Sequence, residues 1–332
     1  MQELGKQNTI HIWGPASLSN LGPGFDSVGM CISGYGDMLE AFMCDEPGMV
    51  IEKITGDGGV LSLNPANNTV AVAAQSVLDQ AGAKVGISFR IHKGIPMGSG
   101  IGGSSASAVA GAYAANALLG YPFEKTALLD AVLEGETIAS GGRHGDNVLP
   151  ALLGGLVLVS ASDPTQYRKL NLPCELHLAI VVPEVQVLTK AAREMLKPQV
   201  AFKDAIQNSS DFGFLVAAFH AGDWEAVGQL IMQDRLVEPL RATLVPCYQH
   251  IKEAALHEAG ALGCALTGSG PAMFAVCTSE THAAVCAEVM IEASRKTGVN
   301  AIGKAVICDE AGARTMMQPE NASWAETAMQ LG

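Results

Sequence analysis

Positive charge is scarce in this chain. Lys and Arg together number 20 against 33 Asp and Glu, which gives a net charge of −13. That balance excludes the broad phosphate-binding surface of a DNA- or RNA-binding protein. An anionic ligand would have to be held by backbone amides, a metal and a few placed cations. Charge of either sign is sparse, at 16% of residues against 48% hydrophobic, so a sizeable buried core is expected rather than disorder. Long apolar runs are missing as well. The longest, Ala106 to Leu119, is interrupted by Gly111, Tyr113 and Asn116 and is too short to span a bilayer. No Lys/Arg run marks a membrane-surface patch, and Met1 to Lys6 lacks the charged-then-apolar layout of a signal peptide. The eight cysteines include no C-x-x-C pair and no zinc-ligand spacing. Scattered among aliphatic neighbours, they fit reduced core thiols in a cytoplasmic protein.

What is present is glycine, 37 residues of it, clustered in short loops rather than spread as a low-complexity tract. A chain of 332 residues is long for one domain and comfortable for two. Strands are expected at Ile10–Trp13, Val28–Ile32, Asp37–Phe42, Val50–Ile54 and Val85–His92, the last from its alternation of Val85, Ile87, Phe89 and Ile91. Gly14–Phe25 reads as a loop. Helices are expected at Asn67–Ala81, stopped by Gly82, then at Ser104–Leu119 and Glu124–Ile138, with a buried strand at Gly154–Ser160. The polar stretch Asp163–Arg168 marks the division into domains 1–163 and 164–332. The second half restarts with a strand at His177–Val182. Helices follow at Thr189–Leu196, Asp204–Ala221, Trp224–Val237 and Tyr248–Ala259. Strands at Cys264–Thr267, Met273–Cys277 and Ala301–Ile307 surround a helix at Thr281–Thr297. Helices and strands mix in both halves, so the class is α+β. The last 20 or so residues read as loosely attached.

The richest glycine loop is Gly98-Ser99-Gly100-Ile101-Gly102-Gly103-Ser104-Ser105, which follows a strand and opens a helix. Successive glycine amides can approach a phosphate closely, the helix N-terminus favours negative charge, and Ser104 or Ser105 could offer a hydroxyl to the magnesium ion that accompanies ATP. Gly98, Gly100 and Gly103 formally satisfy the dinucleotide fingerprint G-x-G-x-x-G. The second strand ending in an acid is absent, however, because Tyr121-Pro122-Phe123-Glu124 leads into another helix. A Walker loop would need Lys where Gly103 stands. A bland alternative is a turn that merely allows close packing.

A third pattern accounts for more residues. Pro96-x-Gly98-Ser99-Gly100-Ile101-Gly102-Gly103-Ser104-Ser105-Ala106 resembles the phosphate loop of the GHMP kinases, Pro-x-x-x-Gly-Leu-Gly-Ser-Ser-Ala, except that the first Ser of the family pair falls on Gly103. Pro15-Ala16-Ser17-Leu18-Ser19-Asn20-Leu21-Gly22-Pro23-Gly24-Phe25-Asp26 resembles the first motif of the homoserine kinase branch. Gly135-Glu136 with Arg143-His144-Gly145-Asp146-Asn147 resembles its middle block, and Thr267-Gly268-Ser269-Gly270-Pro271 the third GHMP motif. The four blocks occur in the family's order and span nearly the whole chain.

The resemblance implies a two-domain fold, with an S5-like N-terminal domain that binds ATP and a ferredoxin-like C-terminal domain. It implies transfer of phosphate from ATP to the side-chain hydroxyl of L-homoserine, on the way to threonine. The nucleotide would be held by Pro96, Gly98, Ser99, Gly100, Ile101, Gly102, Gly103, Ser104, Ser105 and Ala106, by Gly268, Ser269 and Gly270, and by Asn68, which could equally cap the following helix. Mg2+ would be held by Ser104 or Ser105 with Glu136. The substrate carries an ammonium, a carboxylate and a hydroxyl. Asn20 and Asp26 suit the first, Arg193 and Arg241 the second, with His144 and Asn147 facing the substrate. Asp26 as a loop cap, and the two arginines as plain helix surface, are the dull alternatives. Asn147, Asp146 and Glu136 are the candidate catalytic residues. Phosphoryl transfer through a loose transition state depends on positioning and charge neutralisation, so a strong base is not required. A homodimer is the expected assembly. The rival functions are another GHMP substrate such as mevalonate or a sugar, a nucleotide-binding regulator without activity, and a dehydrogenase.

Overall fold

The computed structural model describes residues 9–44 and 46–317, without the side chain of Ser140. Met1–Lys6 and the tail from 318 onward, for which the sequence suggested a missing leader and loose attachment, lie outside the described residues.

The chain alternates β1 (Ile10–Ser19), β2 (Val28–Cys44), β3 (Gly48–Thr55), α1 (Thr69–Ala81) and β4 (Gly86–His92) before the glycine loop. Then come α2 (Gly103–Leu118), α3 (Leu129–Ser140), α4 (Gly145–Leu153), β5 (Leu156–Val159) and β6 (Tyr167–Leu170). The second half is β7 (His177–Pro183), α5 (Thr189–Glu194), α6 (Phe202–Ala221), α7 (Trp224–Ile231), α8 (Glu238–Arg241) and α9 (Tyr248–Glu253). It closes with β8 (Gly263–Leu266), β9 (Met273–Cys277), α10 (Glu280–Lys296), β10 (Ala301–Ile307) and β11 (Arg314–Met316).

Two sheets organise these elements. The first runs β11-β1-β2-β4-β3 with β5 paired to β2 and β6 to β5, and among the described residues its only parallel pair is β3 with β4. The second is antiparallel in the order β10-β7-β9-β8, the ferredoxin-like arrangement expected for the C-terminal half. Because β6 belongs to the first sheet, we place the division between the halves after Leu170, a few residues beyond 163. Strand β11 returns from the end of the chain to pair with β1. Loose attachment therefore does not extend to Arg314–Met316.

Four expectations need correction. Gly14–Phe25 is not all loop, because β1 runs through it to Ser19. Pro15 is tolerated there because the register with β2 shifts between Pro15 and Ser17, a bulge where a missing amide breaks no ladder bond. Val28–Ile32 and Asp37–Phe42 are one strand of 17 residues, with Gly34 at φ +80 where the run looked broken. Trp224–Val237 ends as a helix at Ile231. Helix α4 was hidden by Gly145 at its start and by Pro150. Pro150 cannot donate to the Asp146 carbonyl one turn earlier. That carbonyl packs instead on β2, where a Cβ at Gly29 would fall 1.7 Å from it.

Helices α1–α4 cover one face of the first sheet in a core built largely from alanine and aliphatic side chains. Ala106, Ala108, Ala110, Ala112, Ala114 and Ala115 on α2 are all fully buried, and their small size lets the helix approach strand and neighbouring helix closely. Asn68 and Gly82 bracket α1 as N-cap and left-handed C-cap, so this helix is bounded by its own sequence. A second core joins the two halves, bringing Leu18, Leu21, Met30 and Ile101 against Ile180, Phe219, Ile231 and Phe274. The glycine loop is held at that junction.

Candidate active site

The loop between β4 and α2 takes backbone angles that side chains resist. Gly98, Gly100 and Gly102 have φ of +67, +82 and +73. Gly100 also has a steric reason to be glycine: a Cβ there would fall 2.5 Å from the Gly270 carbonyl oxygen, and one at Gly268 would fall 2.7 Å from that of Gly100. The two glycine turns thus interlock across the domain junction, and the Ala272 amide donates to the Ser99 carbonyl at 3.0 Å. Gly102 opens α2 with no side-chain cap, so no side chain competes with a ligand for the amides of the first turn. The loop lines a cleft of about 250 Å³ together with Leu61, Thr69, Lys93, Glu136, His144 and Asn147.

Glu136 settles which serine faces it: both do. The Ser104 hydroxyl donates to its Oε1 at 2.9 Å and the Ser105 hydroxyl to its Oε2 at 3.0 Å. Glu136 comes from the middle of α3 and is only 3% exposed. A carboxylate and two hydroxyls at the mouth of a phosphate loop are hard oxygen donors of the kind Mg2+ selects, so the residues fit that ion. Ser104 is the more open of the two serines.

The neighbouring chamber, of about 240 Å³, is lined by Asp26, Gly141, Gly142, Arg143, His144, Gly145, Asp146, Ser160, Ala161 and Arg193. His144 lines both cavities, so the two spaces adjoin. Asp26 stands at φ +53 at the end of a turn that also holds Asn20 at +73 and Leu21 at +48. Such strain in non-glycine residues persists where the surroundings fix it. Asn20 does the fixing: its Oδ1 accepts from the Asp26 amide at 3.2 Å and its Nδ2 donates to the Gly268 carbonyl at 3.0 Å.

Arg193 grips Asp26 with both Nη atoms, each at 3.0 Å, and its Nη2 also donates to His144 Nε2 at 3.1 Å. Accepting at Nε2 puts the His144 proton on Nδ1. The imidazole is held neutral, its pKa lowered by burial and then by the Arg193 charge. Arg241 is 3% exposed, not the helix surface it could have been, and donates to the Gly268 carbonyl at 2.7 Å and to the Ala192 carbonyl at 3.3 Å. Both guanidiniums lie over the Phe25 ring, at 5.5 and 5.1 Å from its centre. Asp146 carries no cation of its own. Burial, then the negative charge of Asp26, raises its pKa from 3.8 to about 7. Asn147 is clasped by β1, accepting from Ser17 Oγ at 3.2 Å and donating to Ser19 Oγ at 3.0 Å.

The structure therefore brings most of the expected residues around two adjoining cavities, with Asn20 and Arg241 packed beside them and some others reassigned. Asn68 is the cap rather than a ligand group: its Oδ1 accepts from the Val70 amide at 3.0 Å, its Nδ2 donates to the Ser62 carbonyl at 3.1 Å, and it does not line the cleft. Ile101 and Ala106 are fully buried core residues that support the loop from behind. Gly270 acts through its contact with Gly100 rather than from the cleft wall. Lys93, Ser17 and Ser19 went unrecognised. The alternation of Ser17 and Ser19 on a strand was the available signal for the last two. Asp234 was also missed; it seats the turn before Arg241 by accepting from the amides of Leu236, Val237 and Glu238 at 2.8, 3.1 and 2.7 Å.

Known proteins share this arrangement. The GHMP kinases N terminal domain matches residues 68–155, and the GHMP kinases C terminal domain matches residues 215–296. Homoserine kinase of Chloroherpeton thalassium is 38% identical over 292 residues, 85% of this chain and 91% of its own. The chain belongs to the homoserine kinases of the GHMP family. Homoserine kinase of Arabidopsis thaliana is also 38% identical, over 92% of this chain and 84% of its own. The crystal structure of homoserine kinase from Cytophaga hutchinsonii superposes with a TM-score of 0.89 at 37% identity, covering 95% of this chain and all of that one. A mevalonate kinase from L. major, at 18% identity and a TM-score of 0.71, shares the fold alone. The two-domain α+β GHMP kinase fold thus stands as expected. GHMP kinases use ATP. Among the described residues no helix is long and apolar enough to cross a membrane.

Proposed function

We propose that this protein transfers the γ-phosphoryl group of ATP to the side-chain hydroxyl of L-homoserine, giving ADP and O-phospho-L-homoserine on the way to threonine. The observation that carries the substrate assignment is the pairing of Asp26 with Arg193 beside Arg241, in the chamber that adjoins the phosphate-loop cleft at His144. An acid and a guanidinium lining one small chamber, with a second guanidinium over the same Phe25 ring, match the ammonium and carboxylate of an amino acid. A sugar or mevalonate presents no such pair of opposite charges.

The residues divide the task by position. The amides of Gly98–Ser105 and the N-terminus of α2 receive the phosphates. Glu136 with Ser104 and Ser105 would hold Mg2+, which when bound neutralises charge on the phosphates. Arg193 and Arg241 orient the substrate carboxylate, while Asp26 takes the ammonium and is itself set by Asn20. Asn147, locked between Ser17 and Ser19, lines the cleft beside the phosphate loop, next to His144, which lines both cavities. Asp146, with a pKa of about 7, is the carboxyl placed to take up the hydroxyl proton as transfer proceeds. Homodimeric assembly belongs to the same proposal and is tested by light scattering on the purified chain.

The direct test is a coupled ADP-release assay with Mg-ATP, comparing L-homoserine with L-serine, L-threonine, mevalonate and galactose. Turnover on homoserine alone is expected. Turnover on mevalonate or galactose without homoserine would overturn the substrate assignment, and ATP binding without any turnover would indicate a regulator.

A further inference from the structure

Beneath the phosphate loop lies a buried charge network that none of these roles uses. Lys93 ends the β4 edge of the loop, with 6% exposure, and forms an ion pair with Asp37 on β2, which is 1% exposed. An ammonium has three protons to give, and Lys93 gives them all internally: to Asp37 Oδ2, to the Gly103 carbonyl at 2.9 Å and to Ser107 Oγ at 2.7 Å. Ser107 in turn donates to Asp37 Oδ2 at 2.7 Å, and the Ile95 amide donates to Asp37 Oδ1 at 3.3 Å.

The connectivity tells what the network constrains. Lys93 and Ile95 form one foot of the glycine loop, and Gly103 and Ser107 form the other. Asp37 belongs to the central strand between them. The two feet are therefore tied to each other and to the sheet through one carboxylate. The glycines between them have almost no side chains with which to define a shape. A buried ion pair is a poor source of stability, because desolvating both charges offsets most of their attraction, so geometry is the better account of this one. Closed networks of this sort select one arrangement.

We propose that the Lys93–Asp37–Ser107 network is a positioning device for nucleotide binding. It sets the separation of the two feet of the loop, and with it the direction of the amides that receive the phosphates. Lys93 acts through the loop rather than as a phosphate ligand. The inference rests on the ATP-binding role of the cleft but not on the identity of the acceptor.

The test measures Mg-ADP affinity by calorimetry, KM for ATP, KM for homoserine, kcat and melting temperature for Lys93→Met, Asp37→Asn, Ser107→Ala and the Lys93→Met/Asp37→Asn double variant. Misplacing amides by a fraction of an ångström weakens Mg-ADP binding by about tenfold or more in either single charge variant, with KM for homoserine little changed. The double variant leaves no unpaired charge, so its melting temperature recovers toward wild type while its nucleotide affinity does not. Ser107→Ala, which keeps the pair, falls between and remains informative if a single charge variant fails to fold. If nucleotide affinity recovers together with melting temperature in the double variant, the network serves stability only and the proposal fails. If Lys93→Met weakens Mg-ADP but Asp37→Asn does not, Lys93 is a direct phosphate ligand and the proposal also fails. Because Mg-ADP binding needs no acceptor, a wrong choice of homoserine would appear in the turnover assay and leave this result intact.

Discussion

Replacing Asp146 by Asn should make the folded protein more stable and the enzyme slower, and the stability gain should appear only above acidic pH. Asp146 is 3% exposed on the first turn of α4, with Asp26 the charge that acts on it most and, among the described residues, no salt-bridge partner. Its pKa rises from 3.8 to about 7 on folding, chiefly through burial. The folded state therefore binds more protons than the unfolded state between those values, and stability falls as pH climbs through that window. Below about 4 the group is protonated in both states and contributes nothing. Above about 7 the full deficit is present. At about 1.4 kcal/mol per pH unit, the gap between 3.8 and about 7 corresponds to roughly 4 kcal/mol as an upper bound.

Asn has the same shape and no charge to desolvate, so urea unfolding of Asp146→Asn should show no gain near pH 4. The gain should grow through pH 6 and reach about 2–4 kcal/mol by pH 8. Turnover should fall by about a hundredfold, with the acidic limb of the wild-type pH profile near 7 lost, because the group that takes up the hydroxyl proton is gone. A variant that is less stable at pH 8, or equally stabilised at every pH, would refute the electrostatic account. Unchanged turnover would remove Asp146 from the chemistry while leaving its desolvation cost intact.

Other expectations are as direct. Glu136→Gln keeps the shape that receives Ser104 and Ser105 but loses the charge. A fall in kcat of about a hundredfold, equivalent to about 3 kcal/mol, is expected in steady-state assays, together with a raised Mg2+ requirement. Gly100→Ala places a methyl 2.5 Å from the Gly270 carbonyl at a φ of +82, so a loss of about 1–3 kcal/mol in denaturant unfolding and a higher KM for ATP should accompany it. Arg193→Lys surrenders the two-pronged contact with Asp26, and KM for homoserine should rise at least about tenfold with a smaller change in kcat. Substrate analogues lacking either the amine or the carboxylate should each lose at least about a hundredfold in kcat/KM, with 4-hydroxybutyrate the convenient test of the first.

The parts of this protein that were legible in its sequence are those whose physics is local. Helix α1 could be bounded because Asn68 caps it and Gly82 ends it. Strand β4 showed its alternation, and the phosphate loop showed its glycines because glycine adopts the positive φ of Gly98, Gly100 and Gly102 at the least cost. What stayed hidden depended on partners distant in the chain. Strand β1 looked interrupted at Pro15 because the bulge that accommodates it is defined by β2. Helix α4 looked like a turn because Gly145 and Pro150 are helix breakers in isolation, while packing on Gly29 and the surrounding core holds it. Asn20 and Asn147 were expected to face the substrate, and their side-chain atoms are engaged with Asp26, Gly268, Ser17 and Ser19, which no spacing rule reveals. Lys93 was overlooked for the same reason, since its partner Asp37 is more than fifty positions away.

The ion pair within the chamber carries a consequence for selectivity. Asp26 and Arg193 already satisfy one another through two hydrogen bonds of 3.0 Å, with side-chain exposures of 24% and 43%. An incoming amino acid offers an ammonium to the acid and a carboxylate to the guanidinium, so it can replace one internal pair by two external ones with no charge left over. A ligand with only one of those groups must leave either Asp26 or Arg193 without its partner in a partly desolvated chamber, and that loss offsets most of what its own contact contributes. Arg241, fixed to Gly268 and stacked on the same Phe25 ring, adds a second positive charge that an amine alone would meet unfavourably. Discrimination therefore resides in the chamber's own ion pair as much as in contacts to the ligand. The same Gly268 carbonyl that holds Arg241 also holds Asn20, and Gly268 lies against Gly100 of the phosphate loop. On the proposed assignment, acceptor and phosphate would be registered against the same few backbone atoms, which is how two ligands bound on different loops can be brought into line for transfer.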